Sequence, residues 1–294
     1  MMNDLWLQKS FAEDYAFGRL YLVATPIGNL EDITYRALRI LKEVDVIAAE
    51  DTRQTKKLCN YFEINTPLIS YHEHNKEQSG WKVIELLREG KDVALVSDAG
   101  MPCISDPGFE LVKMALDEHL YVIPIPGANA ALSALIPSGL LPQPFYFFGF
   151  LDRSKKEKKK ELEKLRKLKD TFILYESPHR LKETLSVMAE VLGERQIVMS
   201  RELTKKFEEF MRGSMTEVLS YIEENGVKGE CCLVVQGSDE EEAEDEVSWW
   251  TDLSVEDHVQ HYVQQGHSSK EAIKEVSKER NIPKREVYQA YHVH

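Results

Sequence analysis

Four segments of the chain gather small, polar and proline residues in patterns able to hold a ligand. In Ser97-Asp98-Ala99-Gly100-Met101-Pro102-Cys103-Ile104-Ser105-Asp106-Pro107-Gly108 an apolar run ends on Asp98. A carboxylate there can accept hydrogen bonds from a ligand hydroxyl or amine, while Ala99 and Gly100 permit close backbone approach. Asp106-Pro107-Gly108 signals a turn before the next helix. In Ala24-Thr25-Pro26-Ile27-Gly28-Asn29-Leu30-Glu31-Asp32, Pro26 and Gly28 shape a turn that exposes backbone amides, and Asp32 can cap the following helix. Pro124-Ile125-Pro126-Gly127-Ala128-Asn129-Ala130-Ala131 opens a helix with small residues, which leaves room for a planar ligand. Leu174-Tyr175-Glu176-Ser177-Pro178-His179-Arg180 is the fourth, followed later by Arg201-Glu202-Leu203-Thr204-Lys205. Together they supply Glu176, His179, Arg180, Arg201, Glu202 and Lys205 as titratable groups, and Glu50-Asp51-Thr52-Arg53 ends another apolar run in the same manner. A lone carboxylate or histidine is more often a cap or a salt-bridge partner. Several at strand ends would be gathered round one cleft.

Other chemistries find no support. There is no G-x-G-x-x-G, no G-x-x-x-x-G-K-[ST] and no G-x-S-x-G, which removes the dinucleotide fingerprint, the P-loop and the nucleophile elbow. Tyr71-His72-Glu73-His74 places two histidines together without a third ligand at metal spacing, so no metal site is expected. Cys59, Cys103, Cys231 and Cys232 form no C-x-x-C pair, and reduced thiols in a cytoplasmic protein are the expectation. Asp4, Lys9, Glu13, Asp14 and Arg19 leave no signal-peptide core, and no apolar run approaches the roughly 20 residues of a membrane span.

Charge is unevenly spread. The chain of 294 residues has a net charge of -13, yet Arg153–Lys169 holds ten Lys or Arg against three Glu, a net of +7. Local field decides encounter, so this stretch is a candidate phosphate-facing surface, weighed against a plain solvated helix face. Asp239–Glu246 carries seven acidic residues and too little apolar surface to fold alone.

The elements that would position these loops alternate. Leu20–Ala24, Val44–Ala49, Leu68–Tyr71, Val93–Ser97 and Tyr121–Pro124 are predicted strands. Helices are predicted over Ile33–Lys42, Asp51–Phe62, Glu77–Arg88, Phe109–Glu118 and Ala128–Ile136. Such alternation predicts an α/β domain with a largely parallel sheet, whose binding loops lie at the carboxyl ends of strands. After a proline-rich break at 137–144, a second α/β set is expected. Its strands are Phe145–Phe150, Thr171–Tyr175, Gln196–Arg201, Phe207–Arg212 and Cys231–Gln236, with helices over the basic stretch, Pro178–Leu192 and Met215–Glu224. Ser254–Gln265, a capping box at Ser268-Ser269-Lys270-Glu271 and a third helix after Pro283 predict a small module like a helix-turn-helix. The expected organisation is a leader over 1–18, α/β domains over 19–142 and 143–237, an acidic linker over 238–250 and the helical module over 251–294.

Leu22-Val23-Ala24-Thr25-Pro26-Ile27-Gly28-Asn29-Leu30, Ala49-Glu50-Asp51-Thr52-Arg53, Ser97-Asp98-Ala99-Gly100, Ser105-Asp106-Pro107-Gly108 and Pro126-Gly127-Ala128 resemble the motifs of the tetrapyrrole-methylase-like (class III) methyltransferases. Glu176-Ser177-Pro178-His179-Arg180 and Arg201-Glu202-Leu203-Thr204-Lys205 narrow the resemblance to the branch that methylates a cytidine 2′-oxygen of 16S ribosomal RNA. It runs in order from about Gly18 to Gly237, and the helical tail is similar to that branch's extension. Cys103 stands where this family has glycine.

The resemblance implies mixed and parallel sheets with S-adenosylmethionine in a cleft between two domains, a homodimer, and methylation in the decoding region on the small ribosomal subunit. It implies cofactor contacts from Thr25, Pro26, Gly28, Asn29, Ser97, Asp98, Ala99, Gly100, Met101, Ser105, Pro126, Gly127, Ala128, Asn129 and Ala130. Tyr175, Glu176, Gly229 and Glu230 would form the other wall. For in-line methyl transfer, alignment supplies much of the acceleration, and a general base assists as the hydroxyl proton becomes acidic. Glu50, Asp51, Glu176 and Lys205 are the candidates. Arg53, Arg153, Lys155, Lys156, Lys158, Lys159, Lys160, Arg180 and Arg201 are the expected RNA contacts. Two rivals stay open: a methyltransferase acting on a porphyrin or corrin, and a ribosome-binding protein without catalysis.

Overall fold

The computed structural model describes residues 5–10, 16–239, 250 and 253–292. The chain divides into two compact units, Met1–Ser238 and Asp239–His294. Beyond Asp239, the acidic run expected as a linker lies outside the described residues.

The first unit contains two five-stranded sheets. One is formed by β1 (Arg19–Val23), β2 (Val46–Ala49), β3 (Leu68–Ser70), β4 (Val93–Val96) and β5 (Tyr121–Ile125), in the order β3-β2-β4-β1-β5 and parallel throughout. Alternate residues point to opposite faces, so both faces need cover. Tyr21, Val23, Ala94 and Val96 pack with Ala37, Ile40 and Leu41 of α1 (Tyr35–Glu43) and Cys59 of α2 (Thr52–Tyr61). Leu20, Val93 and Leu95 pack on the other side with Val83, Ile84 and Leu87 of α3 (Lys76–Arg88) and Leu111 and Ala115 of α4 (Phe109–Asp117).

β5 is an edge strand, and the segment before Gly18 covers part of it. Gln8 Nε2 donates to the Val122 carbonyl (2.9 Å) and its Oε1 accepts from the Val122 N–H (3.1 Å), while Trp6 packs edge-on against Tyr121. These contacts satisfy backbone groups that an open edge would offer to another chain.

The second sheet is mixed. β6 (Phe145–Phe150), β7 (Thr171–Glu176), β8 (Gln196–Arg201), β9 (Glu209–Ser214) and β10 (Cys231–Val235) take the order β6-β7-β10-β8-β9. One face packs on α6 (Lys155–Arg166), α7 (Pro178–Leu192) and α8 (Met215–Asn225) through Leu162, Leu165, Leu181, Leu185, Met215 and Val218. The other face receives α5 (Ala130–Leu135), whose Ala131, Ala134 and Leu135 pack on Ile173, Val198 and Val234. This short helix, which follows the last strand of the first sheet, ties the two sheets into one unit.

The second unit contains α9 (Val255–Gln264), α10 (Ser269–Glu279) and α11 (Lys284–His292), around Val259, Ala272, Ile273, Val276 and Val287. The expected capping box is present, with Ser268 and Glu271 each satisfying the other's backbone N–H.

Candidate active site

Parallel strands bring all their carboxyl ends to one edge, so the loops after β1, β2, β4 and β5 gather there. In the second sheet β10 runs antiparallel to both β7 and β8, and Cys231 pairs in register with both Glu176 and Arg201. The ends of β7 and β8 and the start of β10 therefore share an edge. The two edges meet through Ala131 N donating to Tyr175 Oη (3.0 Å) and Asn29 N donating to Thr204 Oγ1 (3.0 Å). Gly28 makes the second contact possible, because a Cβ there would lie 2.4 Å from Lys205 Cγ and 3.0 Å from the Leu203 carbonyl oxygen.

Between the edges lies a cavity of about 410 Å³. Asp98, Ala99, Gly100, Met101, Ser105, Asn129, Ala130, Tyr175, Glu176 and Glu230 line it among the residues expected to hold a cofactor. The remaining ones do not reach the cavity. Thr25 exchanges both backbone hydrogen bonds with Gly100 (2.9 and 3.0 Å), and its hydroxyl donates to the Ser97 carbonyl (3.1 Å). Gly127 lies against Ala24, where a Cβ would come within 2.8 Å of the alanine Cβ. Pro26, Gly28, Asn29, Ser97, Pro126, Ala128 and Gly229 are likewise not part of the lining.

The lining is acidic. Glu50, Asp98, Asp106, Glu176, Glu202 and Glu230 face the cavity, and the ammonium of Lys205, which also lines it, is paired with Glu202 Oε1 (3.0 Å). Burial raises the carboxyl of Glu50, and the Asp98 and Asp51 carboxylates add to the shift against a backbone N–H from Asp98. Burial likewise raises Asp98. Asp106 is pushed up to about 7, by burial first and then by Glu50, Asp98 and Glu230. Such a cavity favours a cation and resists a second anion.

Two of the expected bases have other work. Asp51 caps α2 and pairs with Arg53 (2.7 Å), whose hydrogen bonds hold its carboxyl at about 2. Glu176 is buried; Oε1 accepts from Ser177 N (2.8 Å) and Oε2 from Thr184 Oγ1 (2.6 Å), so it shapes the wall with both oxygens committed. Glu50 and Lys205 do reach the cavity.

The expected RNA contacts sort in the same way. Lys158 is a correction: it is buried, and its ammonium donates to Glu183 Oε1 and Thr184 Oγ1 (both 3.1 Å), so it offers nothing to a phosphate. Its spacing with buried Leu162 and Leu165, one and two helical turns on, is the signal that places it inward. Lys159 pairs with Glu190 (2.6 Å), Lys160 with Glu157 (2.8 Å) and Arg201 with Glu209 (2.6 Å). Arg180 donates to the carbonyls of Leu151 (2.7 Å) and Asp152 (3.2 Å) and faces Glu176 (3.4 Å). Arg53 is exposed but neutralised by Asp51. Arg153, Lys155 and Lys156 are exposed and make no ion pair among the described residues.

Glu202, one of the titratable groups expected round the cleft, lines the cavity, and so do Ile27, Ile104, Asp106, Phe150, Ser177, Leu203, Cys231 and Cys232, to which the sequence reading gave no such role. Asp106 reads as a turn residue until Glu50 and Glu230, distant in the chain, are brought beside it. Cys103 has φ 70, in the left-handed region that glycine adopts freely, which suits the glycine that the resemblance leads one to expect at this position.

Residues 19–219 match the family of tetrapyrrole (corrin/porphyrin) methylases. Ribosomal RNA small subunit methyltransferase I of Bacillus subtilis (strain 168) is 63% identical over 286 residues, covering 97% of this chain and 98% of that protein. The protein of the same name from Streptococcus pyogenes serotype M1 is 48% identical, covering 97% of this chain and 99% of its own. Among solved structures, diphthine synthase superposes with a TM-score of 0.61 at 14% identity, covering 74% of this chain and 90% of that one. Uroporphyrin-III C-methyltransferase from Thermus thermophilus, solved in complex with S-adenosylhomocysteine, gives 0.55 at 19%, covering 74% and 97%. At such identities these structures show the shared fold. The chain belongs to the tetrapyrrole methylase family and, within it, to the ribosomal RNA small subunit methyltransferase I proteins.

Proposed function

We propose that this protein transfers the methyl group of S-adenosylmethionine to a cytidine ribose 2′-oxygen in the decoding region of 16S ribosomal RNA. In this reading it acts in the cytoplasm, as a homodimer, on the small ribosomal subunit. Family membership supports methylation of small-subunit ribosomal RNA, and the charge pattern of the cleft supports the finer reading. One observation carries it: an acid-lined cavity lies beside a strand that leads directly into exposed cations with no ion pair among the described residues. A polyanion and a cation would each find a complementary surface within one unit.

S-adenosylmethionine supplies a methyl group already activated on a positively charged sulfur. The residues present fit such a group. Glu50, Asp98, Asp106 and Glu230 favour its positive charge, and Ala99, Gly100, Met101, Asn129 and Ala130 line the same cavity with small or uncharged residues. Burial raises the basicity of Glu50, Asp98 and Asp106; with Asp98 assigned to the cofactor, Glu50 and Asp106 are left to take the hydroxyl proton. Arg153, Lys155 and Lys156 hold phosphates, and Arg180 fixes the start of their segment by clamping the carbonyls of Leu151 and Asp152.

The test is methyl transfer. Purified protein is incubated with methyl-labelled S-adenosylmethionine and small subunits lacking the modification, and the RNA is digested to nucleosides. Label in 2′-O-methylcytidine at one position is the expected result. Label on a base, or transfer to a tetrapyrrole in place of RNA, contradicts the reading.

A further inference from the structure

Phe150 is the last residue of β6, a strand at the edge of the second sheet. It lines the cavity and keeps 52% of its surface exposed. Tyr175 meets it edge-on, with centroids 5.7 Å apart and planes at 64°, which fixes the ring without covering it. The chain continues through Leu151 and Asp152, held by Arg180, directly into Arg153, Lys155 and Lys156. An open aromatic ring in a cavity wall and exposed cations a few residues away are the two parts of a single-stranded nucleic-acid reader. One stacks a base; the other tracks its backbone.

We infer that Phe150 is the platform on which the base of the acceptor nucleotide stacks, setting its ribose at the cavity mouth. The inference rests on the RNA-methylation reading and assigns a residue that positions the acceptor. A stacked base turns its sugar edge in a fixed direction, while the phosphates on either side meet Arg153, Lys155 and Lys156. Because half of the ring is exposed, its removal leaves the buried cores of the unit intact.

The experiment compares Phe150→Ala, Phe150→Leu and Phe150→Trp in the full chain. Methylation of small subunits gives kcat and KM, and calorimetry gives the affinity for S-adenosylmethionine. Stacking predicts that the alanine and leucine variants lose about ten- to a hundredfold in kcat/KM for the subunit. Tryptophan retains activity within about threefold, and cofactor affinity stays unchanged in all three. Full activity in Phe150→Leu overturns the inference, since an apolar filler would then suffice. A parallel loss of cofactor affinity also overturns it, by making Phe150 part of the cofactor wall. If the unaltered protein binds the cofactor but methylates no ribose, the RNA-methylation reading fails and takes this inference with it. Normal methylation by every variant overturns the inference alone.

Discussion

The cavity and the segment after Phe150 lie on the same sheet edge and carry opposite charge. In the cavity, burial and then the neighbouring carboxylates push Asp106 up to about 7, and the lining ammonium of Lys205 is already paired. In the segment, Arg153, Lys155 and Lys156 face solvent and make no ion pair among the described residues, while Lys158, Lys159 and Lys160 are bound to Glu183, Glu190 and Glu157. The net charge of -13 describes neither region. What matters is which charges are left uncompensated, and where. In the proposed reading the cavity holds a cation and the segment a polyanion, so the two can be altered separately.

The largest effect is expected from removing the proposed proton acceptors. Replacing Glu50 and Asp106 together by their amides should lower kcat on small subunits about 10²- to 10⁴-fold, with KM for the subunit little changed. Steady-state methylation measures both, and the single variants divide the loss between the two groups. A normal kcat in the double variant would separate the acidic cavity from proton transfer.

Acidity should next appear in cofactor affinity. A bound cation favours ionised Asp106, so affinity falls as pH drops through about 7. Calorimetry should show a loss of up to about tenfold over one pH unit below that point, flattened in Asp106→Asn. The same group makes an opposite statement about stability without cofactor. Its folded pKa lies above the ordinary 3.8, so its contribution is fully present below 3.8 and is lost as pH rises through about 7. Asp106→Asn should therefore raise the melting temperature in mild alkali and change it little in acid.

The helical unit titrates in the other direction. His258 Nδ1 accepts from Arg280 Nε (3.0 Å), its Nε2 faces Glu279 (2.9 Å), and it stacks between Trp250 and Tyr262. Burial lowers its pKa below 6.5, assisted by Arg280 and His261 and opposed by Glu279. Its contribution is present above 6.5 and is lost as pH falls below that value. Amides of α9 and α10 should lose protection from hydrogen exchange a few-fold in mild acid, after correction for intrinsic rates. Unchanged protection would show that His258 stays neutral without effect.

The smallest effect sharpens the comparison most. Lys159→Glu with Lys160→Glu removes ammoniums that are already neutralised, so KM for subunits should change less than about twofold. A large rise would extend the phosphate surface along α6.

Much of this frame is legible from residue order. Phe145–Phe150, Pro178–Leu192 and Gln196–Arg201 occur at their expected bounds, because alternation and helical periodicity are local signals. The loops that meet at the cavity are legible as strand ends. Pairing is not: the placement of β10 between β7 and β8 decides that Glu230 and Cys231 face the cavity, and nothing near Cys231 specifies it. Charge is legible only as a sum. Arg153–Lys169 reads as a uniform basic stretch until Glu183 and Glu190, on another helix, remove part of it.

The most direct test of the division between the regions is Arg153→Glu, Lys155→Glu and Lys156→Glu made together, with two quantities measured on one preparation. Calorimetric affinity for S-adenosylmethionine should remain within about twofold, because these side chains lie outside the cavity lining. KM for small subunits should rise more than about tenfold, and its dependence on salt should weaken by about 0.7 in the logarithmic slope for each lost phosphate contact. A cofactor affinity that falls with subunit binding, or an unchanged KM and salt slope, would contradict the account.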